Sequence, residues 1–208
     1  MTNLEKDILL LISRVRCITE NQIKKAFSYK KTYPRKNFKK TLRRMCNEYT
    51  LKKFYCNIDD SIYSDTYVYY LNGGNIYEGE DLFKALLGTE LLIKLKSAGY
   101  NINRFYRNVN VDEKMYDIYV LYTDRSGELK QLICDIYIDD IKCDDIDLFK
   151  YRNINTQIER STIPFFEIPK VLIISSNKVC DLSEKYFYRD FLNINFLDFN
   201  LNKLFKYI

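Results

Sequence analysis

Histidine is absent from this 208-residue chain, and none of its six cysteines stands in a CxxC pair. The first absence excludes any mechanism with a histidine base. The two together exclude the common zinc-finger patterns, whose ligands are cysteines and histidines at short fixed spacings. Long apolar runs are missing too. No pure apolar run outlasts the five residues 8–12, so neither a membrane span nor a secretory leader is expected. Free thiols in a reducing cytoplasm are the simplest expectation for the cysteines. No coiled-coil heptad marks an oligomer interface.

Acid is what residues 30–53 lack. They hold ten lysines and arginines and one acid, Glu48. Phe38, Leu42, Met45 and Tyr49 recur among the cations at spacings of four, three and four, which predicts one apolar helical face with Lys36, Lys40, Arg43 and Asn47 opposite. A helix buried on one side and cationic on the other suits a nucleic-acid groove. The bland alternative is a solvated surface helix, but such faces normally mix both signs. The charge division extends to the whole chain. Residues 1–57 carry fifteen Lys and Arg against four Asp and Glu, a net of +11, so the remainder carries −6 of the total +5. That asymmetry predicts two units with different tasks.

The local signals give the first unit an α+β plan. A helix is expected over 3–14, with Leu4, Ile8, Leu11 and Ile12 on one face. A second begins at a Thr19-x-x-Gln22 capping box and buries Ile23 and Phe27. Pro34 suits the first turn of the third, basic helix. Two β-type runs follow, 51–57 and 64–71, with Asp59, Asp60 and Ser61 between them. Three helices and a hairpin predict a winged helix-turn-helix over 1–72. Lys36, Asn37, Lys39, Lys40, Arg43, Arg44 and Asn47 then face duplex DNA, with Lys52 and Lys53 at the base of the wing. Asn37 and Asn47 are either adenine readers or ordinary polar surface residues, since an amide can read a base edge where lysine senses phosphate.

Gly73-Gly74 and Glu78-Gly79-Glu80 predict a linker at 73–80, and 81–208 a second domain of α/β type with a mixed central sheet. Its elements are a helix over 82–98 ended by Gly99, strands over 102–109, 115–122 and 129–138, a helix near 146–159, a strand over 170–175, a helix over 183–191 and a strand over 194–199. The middle strands are almost wholly apolar, yet each carries an acid, Asp117 and Asp135. A hairpin centred on Ser126 sets these two opposite each other. Carboxylates so paired repel, and they persist when Mg²⁺ or Mn²⁺ neutralises them, when one is protonated, or at a solvated edge.

The order helix–strand–strand–strand–helix–strand is that of the restriction-endonuclease-like, or PD-(D/E)XK, core. In that superfamily a lysine two residues after the second acid completes the catalytic set. Here the position holds Tyr137, whose neutral phenol cannot replace an ammonium. Lys142 or Lys150 would have to substitute from elsewhere in space. With its basic first domain the chain resembles the replication-relaxation family of plasmids and mobile elements. The resemblance rests on Tyr116-Asp117, Cys134-Asp135-Ile136-Tyr137, Leu148-Phe149-Lys150-Tyr151 and Val171-Leu172-Ile173-Ile174 in that order. Tyr116 stands where proline is usual and Asp135 where glutamate is common. Scarce Ala, Gly and Pro beside abundant Asn, Lys, Ile and Tyr suit the AT-rich DNA of low-GC bacteria, their plasmids and phages.

The resemblance implies DNA binding in plasmid replication, relaxation or transfer. The basic first unit, the missing lysine and the unpaired cysteines add the expectation of a sequence-specific, cytoplasmic accessory or regulatory protein (replication, transfer or transcription control) with a non-catalytic nuclease-like domain and no cofactor. Its partners are then double-stranded DNA, a second copy of the chain, and replication or transfer proteins. The alternatives are a Mg²⁺- or Mn²⁺-dependent nuclease, with Asp117 and Asp135 as catalytic and metal-holding residues, and a protein-interaction module built on the 19 tyrosines and 13 phenylalanines.

Overall fold

A capping box starts the first helix. In the computed structural model of the protein, which describes residues 1–28, 33, 37–56, 58, 63, 66–138, 154–176 and 194–208, the Thr2 N–H donates to Glu5 Oε2 (2.6 Å) and the Glu5 N–H to Thr2 Oγ1 (3.3 Å). Helix α1 (Asn3–Val15) then buries Leu4, Ile8, Leu11 and Ile12, the stripe its spacing predicts. Strand β1 (Cys17–Thr19) leads into α2 (Glu20–Ser28) through the expected second box. The Thr19 N–H donates to Gln22 Oε1 and the Gln22 N–H to Thr19 Oγ1, both at 3.1 Å. Ile23 and Phe27 are buried.

Helix α3 (Phe38–Asn47) begins later than its sequence suggests, because Asn37 caps it, accepting from the Lys40 N–H at 3.0 Å. Pro34 and Lys36, expected in and beside its first turn, lie outside the described residues. Leu42 and Met45 are buried and Phe38 stacks on Phe27, 6.1 Å between ring centroids. Tyr49 departs from the expected apolar face. The helix ends at Asn47, and Tyr49 follows in the left-handed region (φ 56°) with 79% of its surface exposed. A helical spacing holds only while the helix lasts. Strands β2 (Leu51–Tyr55) and β3 (Tyr67–Leu71) pair antiparallel. β1 joins the other side of β3, so β2 is an outer strand.

The expected linker at 73–80 does not end the first unit. The chain divides into Met1–Gly99 and Tyr100–Ile208, so α4 (Gly79–Ser97), expected in the second domain, belongs to the first. The reason lies in its polar side chains. Thr89 Oγ1 donates to the Cys17 carbonyl (3.1 Å), Gln22 Nε2 to the Leu86 carbonyl (2.8 Å), and Lys25 Nζ lies 2.8 Å from Glu90 Oε1. Buried polar groups need such partners, and α4 finds them on β1 and α2. Its end is as expected: Gly99 adopts φ 90°, a conformation that favours glycine, and its N–H donates to the Lys96 carbonyl.

The second unit is a five-stranded mixed sheet in the order β4-β5-β6-β7-β8: β4 (Asn101–Val111), β5 (Lys114–Thr123), β6 (Leu129–Ile136), β7 (Lys170–Ser175) and β8 (Ile194–Asp198). β5 runs antiparallel to both β4 and β6, while β7 and β8 continue from β6 in parallel. Helices α5 (Ile154–Arg160) and α6 (Leu204–Tyr207) complete it. Val109, Val111, Tyr116, Tyr119, Ile133, Ile154, Val171 and Ile173 form a core on one side, each large apolar side chain removing surface worth about 1.5–3 kcal/mol. Buried Gln131 fastens the connection before β7 to this core. Its Nε2 donates to the Tyr119 hydroxyl and the Pro164 carbonyl (both 2.9 Å), and its Oε1 accepts from the Phe166 N–H (3.1 Å). The helix expected over 183–191, the start of the one near 146–159, and Lys142, Lys150 and the Leu148–Tyr151 motif lie outside the described residues.

Candidate functional site

The basic stretch folds into a surface whose residues are not equivalent. Lys40, Arg43 and Asn47 are exposed along the side of α3 opposite Leu42 and Met45, and Lys39 is exposed in its first turn. The first turn of α3 contains no acid. Acids usually occupy that turn because the helix dipole makes it positive, so Lys39 and Lys40 intensify a field that attracts anions.

Two of the expected DNA contacts are committed elsewhere. The Asn37 side chain is the N-cap, so its carbonyl oxygen holds a backbone N–H rather than reading a base. Arg44 turns toward α1, where its Nε donates to Glu5 Oε1 (2.9 Å) and its second guanidinium nitrogen reaches the same oxygen. Glu5 is 3% exposed. The Thr2 N–H, ahead of the Arg44 guanidinium, holds its carboxyl below the usual range against the opposing push of burial. Arg44 therefore ties α3 to α1.

Lys52 and Lys53 are both exposed on β2 but, as neighbours in a strand, point to opposite faces. Lys53 shares the face of Leu51 and Tyr55 and lies close enough to Cys46 of α3 to pull that thiol down, although burial, the larger influence, raises it. So Lys53 extends the α3 surface and Lys52 faces away. Lys53 Nζ sits 4.1 Å from the centre of the Tyr67 ring, and Tyr67 packs edge-on against Tyr55 at 5.5 Å. These tyrosines and Tyr49 are exposed beside the basic surface, and no sequence expectation placed them there. The signal was an aromatic at the polar end of each β run.

In the second unit the hairpin is centred where expected: Ile118 pairs with Cys134 and Thr123 with Leu129, about Ser126. The two acids nevertheless do not form a simple facing pair. The ladder stops at Ile118, and Asp117 Oδ2 accepts from the Ile136 N–H at 2.6 Å, taking the place of the next backbone bond. Asp135 engages Lys114 instead, with Nζ 2.6 Å from Oδ2 and side-chain exposures of 16% and 8%. Lys114 Nζ also lies 4.4 Å from the centre of the buried Tyr116 ring, whose hydroxyl donates to Gln157 Oε1 (3.0 Å) and whose pKa burial pushes well up. Tyr137 packs against the apolar core and its N–H donates to the Ile174 carbonyl (2.8 Å).

Lys114 thus gives Asp135 a countercharge: its ammonium nitrogen is buried against that carboxylate. Lys114 stands at the head of the strand bearing the first acid, not after the second, where the superfamily's lysine is expected. As metal donors the acids fit poorly. Asp135 already holds a cation, Asp117 holds a backbone N–H, and no group of three or more His, Cys, Asp or Glu suited to a metal occurs among the described residues. No helix among them is long and apolar enough to cross a membrane. Compared with known proteins, the chain matches no family model, no curated protein and no solved structure.

Proposed function

We propose that this chain is a sequence-specific duplex-DNA-binding protein, an accessory or regulatory factor of a plasmid or other mobile element. Its first unit acts as a winged helix-turn-helix, and its restriction-endonuclease-like second unit serves assembly or substrate recognition rather than cleavage. The carrying observation is the exposed α3 face of Lys39, Lys40, Arg43 and Asn47, with Lys53 beside it and no acid in the first turn. The element order α1-β1-α2-α3-β2-β3 and the antiparallel β1-β3-β2 sheet support the winged-helix reading. In it α3 enters the major groove, its cations meet phosphates, and Asn47 is the remaining amide able to read a base.

Binding of duplex fragments, followed by fluorescence anisotropy at several salt concentrations, tests this. Affinity should fall steeply with salt, and Lys40→Glu with Arg43→Glu should flatten the log–log slope by about 2, roughly 0.9 per lost phosphate contact. No binding at low salt, or an affinity indifferent to both reversals, rules the reading out. A metal-dependent nuclease is the alternative, disfavoured by Lys114 already holding Asp135. Cleavage of plasmid DNA with Mg²⁺ or Mn²⁺ that vanishes in Asp135→Ala would establish it.

A further inference from the structure

The basic surface carries a feature that duplex phosphates do not need. Tyr55 and Tyr67, cross-strand partners at the end of the β2–β3 ladder, are 48% and 42% exposed. Their rings meet edge to face at 5.5 Å, and Lys53 Nζ lies 4.1 Å from the centre of the Tyr67 ring. The outer strand of the sheet bears two of these three residues. A cross-strand aromatic pair stabilises a hairpin, but one whose residues keep nearly half of their surface in water presents aromatic area beside a cation. That combination suits a nucleotide: a base has a flat π-face for the ring and a phosphate for the ammonium. Bases inside a duplex are already stacked on one another and offer no face to a tyrosine. Only an unpaired nucleotide does.

We propose that Tyr55 and Tyr67, with Lys53, form a stacking platform for unpaired bases, so that the preferred ligand is DNA in which a single-stranded segment adjoins the duplex. This rests on the DNA-binding reading above and refines its substrate. The α3 face holds the duplex, and the β2–β3 end takes the nucleotides leaving it. Stacking makes little demand on base identity, so sequence choice stays with α3.

The test uses the full chain and four labelled probes: a blunt duplex, the same duplex with a DNA overhang, the duplex with an RNA overhang, and the free DNA strand. The DNA overhang should tighten binding about ten-fold over the blunt duplex. Tyr55→Leu with Tyr67→Leu should remove that gain while blunt-duplex affinity stays within about two-fold, and Tyr55→Phe with Tyr67→Phe should keep it, since the stacking ring survives. Equal affinity for blunt and DNA-overhang probes overturns the proposal, as does a leucine variant that folds and weakens both alike. A markedly stronger gain from the RNA overhang overturns it in favour of RNA. If the leucine variant does not fold, 5-iodouracil in the DNA overhang decides the matter on the unaltered protein. Photocrosslinking to Tyr55 or Tyr67 is expected, and crosslinks confined to other residues overturn it. Binding of the free strand without the duplex would sink the duplex reading and leave the platform standing, whereas binding of no probe sinks both.

Discussion

Cations gather outward on α3 in the first unit, while in the second unit one cation, Lys114, turns inward to a buried acid. Lys39, Lys40 and Arg43 stand exposed on α3, and none has an ion-pair partner among the described residues. The Lys114 ammonium nitrogen is buried against Asp135. The two arrangements solve opposite problems. Exposed charges of one sign repel one another across the surface, and the folded chain gains nothing from gathering them; an anionic partner does. A buried ammonium beside a buried carboxylate offers little to a partner and much to the fold, because either alone would be an uncompensated charge. Arg44 shows the distinction within a single helix. It neighbours Arg43 in sequence, yet it serves Glu5.

The comparison breaks first, if it breaks, at Lys114. Lys114→Met should destabilise the protein by about 3–5 kcal/mol, since Asp135 is left buried without its countercharge, and Lys114→Met with Asp135→Leu should recover most of the loss. Urea unfolding measures both. A single variant as stable as the parent would mean that water or another group already solvates Asp135. Next comes the exposed face. Lys40→Glu with Arg43→Glu should cost about 100-fold in duplex affinity while moving the unfolding free energy by no more than about 0.5 kcal/mol, the usual range for surface changes. Loss of stability in place of affinity would return these residues to the fold. Arg44→Ala reverses that pattern. It should lower stability by about 1 kcal/mol, discounted for its half-exposed guanidinium, and shift duplex affinity less than about three-fold.

What could be read from the sequence was local. Capping boxes, apolar spacings and the hairpin centre at Ser126 involve neighbours in the chain, and the Thr19–Gln22 box, the buried stripe of α1 and the Ile118–Cys134 pairing all stand as the residues imply. Readings that depended on distant partners fared less well. Nothing near Arg44 announces Glu5, thirty-nine residues earlier, and nothing near Asp135 announces Lys114 across the hairpin. The fate of α4 is the same lesson. Glycines before it suggested a linker, but Thr89 and Glu90 find their partners on β1 and α2. Composition gave the basic surface as a whole, while the division into outward Lys40 and Arg43, capping Asn37 and bridging Arg44 needed the third dimension.

The smallest expected effect separates charge from geometry at that bridge. Glu5 has a carboxyl pKa held below its ordinary value of 4.5, by the Thr2 N–H first and by Arg44 after it, with burial opposing. A group whose folded pKa is depressed stabilises the fold above its unfolded value and loses that contribution as pH falls through the folded one. The protein should therefore lose stability below about pH 4.5 through Glu5 among other carboxyls. Glu5→Gln keeps a side-chain oxygen able to accept from Thr2, as a capping box requires, but removes the negative charge that Arg44 meets. At neutral pH the variant should be less stable than the parent, by less than the Arg44→Ala loss. As pH falls below 4.5 the gap should close, because the parent's carboxyl protonates and the two side chains become alike in charge. Urea midpoints at pH 7, 5 and 3 read this directly. A gap that does not narrow at all between pH 5 and pH 3 would mean that shape rather than charge holds α3 to α1.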